Sequence, residues 1–302
     1  MTLAVYTTVY PAVEAYLADW SRSLRQQSDQ EFDLWIGLDR LGRDSVQKIL
    51  GVGSEAKWVE LPRGGTPAQI RQEALAAIVG KYSEIVLLDS DDVLHPARVA
   101  AARRSLQSNE LVGCALRLVN KQGEYLGRTF GLPMHLAPDD VLPRNNVFGF
   151  SNSAFRSDLL RRCLPIPADV VLVDWFLATR AWLLGAKLAF DPTAHMDYRQ
   201  YPTNTARVIY PVAADQIVSD TGHVRRHFQF VLAEVSPHAL PDRVATLRMV
   251  AAEIEDFYED VVLCPTLLDE YVQAFNGLNP VPLWWVTVAY PPLEYMWKSR
   301  KC

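Results

Sequence analysis

The chain has 302 residues, with 30 lysines and arginines against 35 aspartates and glutamates, and is 49% hydrophobic and 22% charged. That is the balance of a globular protein, neither disordered nor fibrous, and the length implies one large domain with an appendage. The net charge of −5 argues against a nucleic-acid-binding surface spread over the whole protein.

Cys114, Cys163, Cys264 and Cys302 show neither metal-ligand spacing nor a disulfide rhythm, which in a chain this long reads as reduced thiols in the cytosol. The start, Met1 to Tyr6, has no basic leader and meets Glu14 and Asp19 early, unlike a signal peptide. No apolar stretch approaches the roughly 20 residues that cross a bilayer. A cytoplasmic protein without integral membrane segments is expected.

In chain order, Leu3 to Val9 is a short apolar, β-branched run that reads as a buried strand. Val13, Leu17, Trp20 and Leu24 recur at helical spacing. Phe32 to Leu38 reads as a second strand ending at Asp39, and Lys57 to Leu61 as a third. Thr66-Pro67-Ala68-Gln69 is a helix start, with a capping threonine, proline at the first helical position and glutamine closing a capping box. Ile70, Ala74, Ala77 and Ile78 line one face of that helix, and Gly80 can end it. Glu84 to Leu88 is a very apolar strand running into Asp89-Ser90-Asp91-Asp92, and Pro96 opens a helix with Val99, Ala102 and Leu106 inward. The order β-α-β-β-α-β-α implies an α/β fold: a Rossmann-like mixed, mainly parallel sheet flanked by helices.

Leu111 to Val119 reads as a strand, Lys121-Gln122-Gly123 as a turn, and Pro133 to Phe150 as loop. A helix from Asp174 to Leu184 and a short strand, Lys187 to Phe190, follow. Beyond about Ala206 the pattern is helical, clearest in Val244, Leu247, Ala251, Ile254, Tyr258 and Val261. The expected division is 1–205 for the sheet domain and 206–302 for a helical C-terminal extension.

Open α/β sheets bind ligands at the carboxyl ends of their strands. Asp39 and the Asp89–Asp92 cluster both sit at such ends. In an extended chain, residues two apart point the same way, so the carboxylates of Asp89 and Asp91 can face one ligand. Two hard oxygen donors suit magnesium or manganese, which bind phosphates while keeping coordination sites open. The plainer alternative is that these acids cap the following helix, since Asp92 sits just before it. Asp174 begins an apolar helix: it either complements the helix dipole or serves as a general base whose pKa is raised by its surroundings.

The run Ile85-Val86-Leu87-Leu88-Asp89-Ser90-Asp91-Asp92-Val93-Leu94-His95-Pro96 resembles the donor-site motif of inverting family-2 glycosyltransferases of the GT-A fold. Gly64-Gly65-Thr66-Pro67-Ala68-Gln69-Ile70-Arg71-Gln72 is similar to that family's glycine, serine, Ala-Arg-Asn stretch. Phe148 to Arg156 resembles its small-residue segment, Val173-Asp174-Trp175 falls where it carries a Glu-Asp pair and tryptophan, and Tyr198 to Thr205 resembles its Tyr-Arg-x-His-x-x-Asn ending. These signals come in the family's order and cover roughly the first two thirds of the chain.

The resemblance implies roles. Asp39 would bind the nucleobase, and Thr7 and Tyr10 would shape the nucleotide pocket. Arg71 would line the donor site, Asp89 would contact ribose or the metal's water shell, Asp91 would be the direct ligand of Mn2+ or Mg2+, and Asp174 the catalytic base. The implied partners are a nucleotide-sugar donor, first of all a UDP-sugar, and a glycan or lipid-linked acceptor.

The sequence departs from the pattern in places. Val173 replaces the first acid of the pair, Arg40 follows Asp39 where a second acid is usual, and Tyr201 stands where many relatives place histidine. His195 is the nearby substitute for that third metal ligand.

Other readings compete. Leu87-Leu88-Asp89-Ser90-Asp91 also fits, locally, a phosphotransferase of the haloacid dehalogenase type, and Val173 and Tyr201 suit a non-catalytic nucleotide-sugar-binding protein. His223 and His227 are four apart with Arg225 and Arg226 between them, which reads as a solvated basic face rather than a zinc site. The aromatic run Pro282 to Trp297, followed by Lys298, Arg300 and Lys301, suits peripheral contact with a membrane surface. Pro291-Pro292 break any long helix and favour docking of this tail onto the domain.

Overall fold

The strands expected in the first third of the chain all form in the computed structural model, which describes residues 2–51, 55–60 and 65–298. They are β1 (Leu3–Val9), β2 (Phe32–Leu38), β3 (Lys57–Glu60) and β4 (Glu84–Asp89). Leu61, Gly64, Arg300, Lys301 and Cys302 lie outside the described residues. All seven residues of β1 are buried, as expected of a parallel strand covered on both faces.

Helix α1 (Leu17–Arg25) follows a 3-10 turn and buries Leu17, Trp20 and Leu24. One helix, α2 (Arg43–Leu50), corrects the expected order: it sits between β2 and β3, where two strands were read in succession. It anchors only Val46 and Leu50 in the core, too few positions to mark a period over eight residues. Helix α3 (Pro67–Ile78) starts as read: Thr66 Oγ1 accepts from Gln69 N–H, and Gln69 Oε1 accepts from Thr66 N–H.

Next come β5 (Val93–Leu94), α4 (Arg98–Leu106), β6 (Leu111–Val119), β7 (Tyr125–Phe130), the single turn α5 (Pro138–Val141), β8 (Ala154–Arg156), α6 (Ser157–Cys163) and α7 (Val173–Leu183). The strand read as Lys187 to Phe190 is much longer: β9 (Leu188–Arg199) continues through Pro192 and His195. Its register on β6 shifts around Cys114 and Ala115, and the irregularity admits the proline that hides the strand from a sequence reading.

The sheet order is β3-β2-β1-β4-β8-β6-β9-β5, with β7 paired to β6. The long ladders, β1 with β2 and β4 and β6 with β9, are parallel. The antiparallel ones, such as β4 with β8 and β6 with β7, are short. The connection reverses direction between β1 and β4, so a crevice opens there at the carboxyl ends of the strands.

The C-terminal part is α8 (Ala214–Ala233), α9 (Pro241–Phe257), α10 (Pro265–Leu278) and α11 (Tyr295–Lys298). Residues on both sides of position 205 share one hydrophobic core. His227 corrects the reading of a solvated basic face: it is buried and stacks on Trp175 at 3.9 Å. The buried stripe of α8 runs through Val224, His227, Phe228 and Val231, so the helical spacing that pairs the histidines also carries His227 inward. Burial lowers its pKa to about 3, which keeps the ring neutral.

The aromatic tail turns into the domain. Trp284, Trp285 and Trp297 are buried, and Trp297 packs edge-on against Phe257 at 5.2 Å. No helix among the described residues is long and apolar enough to cross a membrane.

Asp220 of α8 fastens this tail by accepting from Thr287 Oγ1 at 2.7 Å. Desolvation pushes its pKa up to about 6, against the Thr287 hydrogen bond. A raised folded-state pKa means that the stability linked to its proton is complete below the unfolded value and lost as pH rises through about 6. Urea unfolding should therefore show Asp220→Asn losing less stability than the wild type between pH 5 and 8, by about 1 kcal/mol.

Candidate active site

The cleft at the end of β4 is an open space of about 820 Å³ whose lining includes Tyr10, Arg71, Asp89, Asp91, Ser151 and Asp174. Strand β4 ends at Asp89, and the turn that follows drops Asp91 and Asp92 back into the protein, leaving them 8% and 1% exposed. Such burial is costly for carboxylates unless their oxygens are hydrogen-bonded.

The partners are present. Asp92 Oδ1 accepts the backbone N–H of Arg199 at 2.8 Å, and its Oδ2 contacts the Ser151 hydroxyl. That hydroxyl also lies 3.0 Å from Asp89 Oδ2. Arg199 Nε donates to the Asp91 carbonyl at 2.8 Å, and the Tyr201 hydroxyl donates to Asp91 Oδ2 at 2.5 Å. Asp92 is thus a buried strut between the turn before β8 and the end of β9; it does not cap the next helix, which begins at Arg98.

Desolvation dominates the electrostatics. It pushes Asp91 up to about 6, helped by the neighbouring charge of Asp89 and opposed by the Tyr201 hydrogen bond. It also raises Asp92 well above the carboxylate range, and raises Asp89 against the pull of Arg71 and Ser151. Arg71 reaches from α3 to within 3.7 Å of Asp89 with its guanidinium over the Phe150 ring at 4.2 Å. Its Nε has no hydrogen-bond partner among the described residues.

Asp174 sits in the first turn of α7, where its Oδ1 accepts the N–H of Trp175 at 2.7 Å. The helix is apolar almost all round, with Trp175, Phe176, Leu177 and Ala178 buried. That wall desolvates the carboxyl and pushes its pKa up to about 6. Trp175 Nε1 donates to the Leu142 carbonyl at 3.2 Å and ties the start of α7 to the segment carrying Asn145 and Asn146.

A further wall comes from the C-terminal tail. Trp284 and Trp285 line the cleft. Trp284 packs against Phe130 at 4.0 Å and Tyr198 at 5.6 Å, and Asn146 makes an antiparallel bridge to its backbone.

No family model matches the chain. Over 82 residues it is 34% identical to the O-antigen biosynthesis glycosyltransferase WbnJ of Escherichia coli, a segment covering 26% of this chain and 32% of that protein. The alignment thus spans about a third of the curated relative. Among solved structures, the mannosyltransferase PcManGT from Pyrobaculum calidifontis, in complex with GDP-Man and Mn2+, superposes with a TM-score of 0.62 at 15% identity. That match covers 90% of this chain and 74% of the other. S. aureus TarS 1-349 in complex with UDP-GlcNAc gives a TM-score of 0.56 at 18% identity, over 92% of this chain and 89% of the other. The chain has their fold.

Within it, the residues singled out by sequence divide into groups. Tyr10, Arg71, Asp89, Asp91 and Asp174 meet in the cleft. Asp39 flanks it: its N–H donates to the Val9 carbonyl at 2.9 Å beside Tyr10, while its carboxylate is held by Arg40 at 3.0 Å. Thr7 is fully buried within β1, with an Oγ1 that has no hydrogen-bond partner among the described residues. His195 does not join the cleft lining: on β9 its Nε2 lies 2.9 Å from Asp191 Oδ2, and the side chain beside Asp91 is Tyr201.

Sequence reading passed over Ser151, Asn146 and the pocket role of Trp284 and Trp285. Ser151 lay inside a recognised motif, whereas nothing in the sequence places the tryptophan doublet opposite α7. A Cβ at Gly149 would overlap the Trp284 ring, which is too tightly packed to swing away. Gly149→Ala should cost about 1–3 kcal/mol, read as a lower midpoint in urea, with loss of the near-ultraviolet circular dichroism of the indole cluster.

Proposed function

We propose that the chain is a glycosyltransferase of the inverting, family-2 GT-A kind, moving a sugar from a nucleoside-diphosphate donor to an acceptor hydroxyl. The observation that carries this reading is the convergence of Asp89 and Asp91, from the end of β4, with Asp174, from α7, on one cleft at the sheet's switch point. The fold shared with PcManGT and TarS, which were solved with GDP-Man and UDP-GlcNAc, and the stretch similar to WbnJ support it.

The chemistry of the site fits a divalent ion. Asp91 and Asp89 offer hard oxygens, and burial beside one another leaves them short of positive charge. Among the described residues no group of three or more His, Cys, Asp or Glu converges to hold a metal. Two carboxylates therefore suit Mn2+ or Mg2+ shared with a diphosphate rather than caged by protein. When bound, the ion offsets charge on the departing diphosphate.

The other steps belong to side chains. Tyr10 and Asp39, at the ends of β1 and β2, border the nucleoside, with a UDP-sugar the first candidate donor. Arg71 turns its guanidinium toward the phosphates. Tyr201 holds the Asp91 carboxylate in place by its hydroxyl. Asp174 takes the proton of the acceptor hydroxyl as it attacks the anomeric carbon, and a pKa near 6 leaves it ionised at neutral pH yet more basic than an exposed aspartate. A phosphotransferase of the haloacid dehalogenase type would need a lysine at the site, and no lysine lines the cleft among the described residues.

Asp91→Asn should lose most of its affinity for nucleoside diphosphates and its dependence on manganese, measured by calorimetric titration of UDP and GDP with and without the ion. Retention of both would overturn the assignment. Asp174→Asn should keep nucleotide affinity but lower sugar transfer about 10²- to 10⁴-fold. A non-catalytic binding protein would show no turnover to lose.

Because Asp174 is protonated below about pH 6 and cannot then accept a proton, transfer by the wild type should rise with pH through that region. The acidic limb should be absent from the residual rate of Asp174→Asn.

A further inference from the structure

We infer that His227 is a positioning residue for Asp174: stacked on Trp175 and joined to Thr179, it locks the first turns of α7 and so holds the proposed base in place. This rests on the glycosyltransferase reading of the cleft and adds a residue outside the cleft that acts on it.

The contacts run inward from the carboxylate. Asp174 Oδ1 accepts the backbone N–H of Trp175 at 2.7 Å, so the carboxylate follows the Trp175 backbone. The Trp175 side chain is fully buried, its Nε1 donates to the Leu142 carbonyl, and Phe228 meets its ring in a T-shaped contact at 5.8 Å. His227 adds a grip of another kind. Its ring lies on the indole at 3.9 Å and 6°, while its Nε2 lies 3.3 Å from Thr179 Oγ1. Residues four apart share a helix face, so one side chain of α8 holds two successive turns of α7.

Packing alone does not call for a histidine here. The position falls in the buried stripe of α8 with Val224, Phe228 and Val231, where an apolar side chain would serve. His227 Nδ1 is buried and has no hydrogen-bond partner among the described residues, a cost that an aliphatic side chain avoids. Two hydrocarbon rings slide or tilt away from a face-to-face stack. The dipolar imidazole accepts one and carries a hydrogen-bonding edge to Thr179. His227 does not line the cleft, so its effect on the chemistry passes through Trp175.

The consequence falls on the environment of the base. The apolar wall keeps water from Asp174, and this desolvation outweighs the Trp175 hydrogen bond, which pulls the other way. The charges that bear on the carboxyl are Arg71 on α3 and Asp89 at the end of β4. Loosening Trp175 weakens desolvation and hydrogen bond together, so the carboxyl returns toward the ordinary aspartate range.

The test follows Asp174 itself, in the full chain labelled with carbon-13 at the aspartate carboxyls, its signal identified by its loss in Asp174→Asn. The wild-type midpoint should lie at about 6. His227→Leu fills the site without a ring or a polar edge. It should lower the midpoint by about one pH unit, a tenfold change in acid dissociation, with little loss of melting temperature. His227→Gln, whose planar amide can lie on the indole and reach Thr179, should recover most of the shift. Thr179→Val, which removes only the hydroxyl, should move the midpoint the same way by less. With manganese, release of UDP from UDP-glucose or GDP from GDP-mannose to water should fall at least about tenfold in His227→Leu, while calorimetric affinity for UDP and GDP stays within about twofold.

An Asp174 midpoint equal in the wild type and His227→Leu, or a fall in nucleotide release that only follows the fraction of folded protein, overturns the positioning role. A wild-type chain that binds neither UDP nor GDP sinks the glycosyltransferase reading, while the carboxyl midpoint still reports whether His227 positions Asp174.

Discussion

The site depends on how the protein keeps the carboxylates of one turn in its interior. Arg199, 3% exposed, gives its backbone N–H to Asp92 and its Nε to the carbonyl of Asp91, while its Nη1 donates to the Lys121 carbonyl at 2.7 Å. Ser151 and Tyr201 satisfy further oxygens. Desolvation still raises the pKa of Asp89, Asp91 and Asp92, so hydrogen bonds alone do not offset the loss of water around these groups. The residual demand for positive charge is what suits the turn to the divalent ion proposed for it.

The same clamp explains why the fold is assembled from both ends of the sheet. The acidic turn belongs to β4, Ser151 precedes β8, and Arg199 closes β9. The short antiparallel pairing of β8 with β4 and β6 brings the two parallel halves together. A local change in β9 therefore reaches the cleft without touching a ligand, because Arg199 holds the backbone on which Asp91 is mounted.

The C-terminal residues are part of this arrangement rather than an ornament on it. Trp284 fits only because Gly149 has no side chain, and Trp285 lies parallel to Trp175. The stack continues to His227, held neutral by burial. Beneath it, the Tyr271 hydroxyl donates to the Thr287 carbonyl and accepts from Tyr290 N–H, while Thr287 Oγ1 donates to Asp220. The tail is thereby laid down in one register, with its doublet of indoles lining the cleft.

What the sequence determined by itself is local. Continuous apolar runs set β1, β2 and β4, a capping box set the start of α3, and the spacing of Asp89 and Asp91 after a strand announced a cluster of acids at a sheet edge. Those features depend on neighbours within a few residues. Tertiary structure alone decided that Asp92 meets Arg199 across more than a hundred residues, that Tyr201 and not His195 stands beside Asp91, and that His227 turns inward. It also extended β9 past a proline and set the tryptophan doublet against α7. The physical reason is that propensity and periodicity fix which face of an element is apolar, whereas the partner that face meets is chosen by packing between segments far apart in the chain.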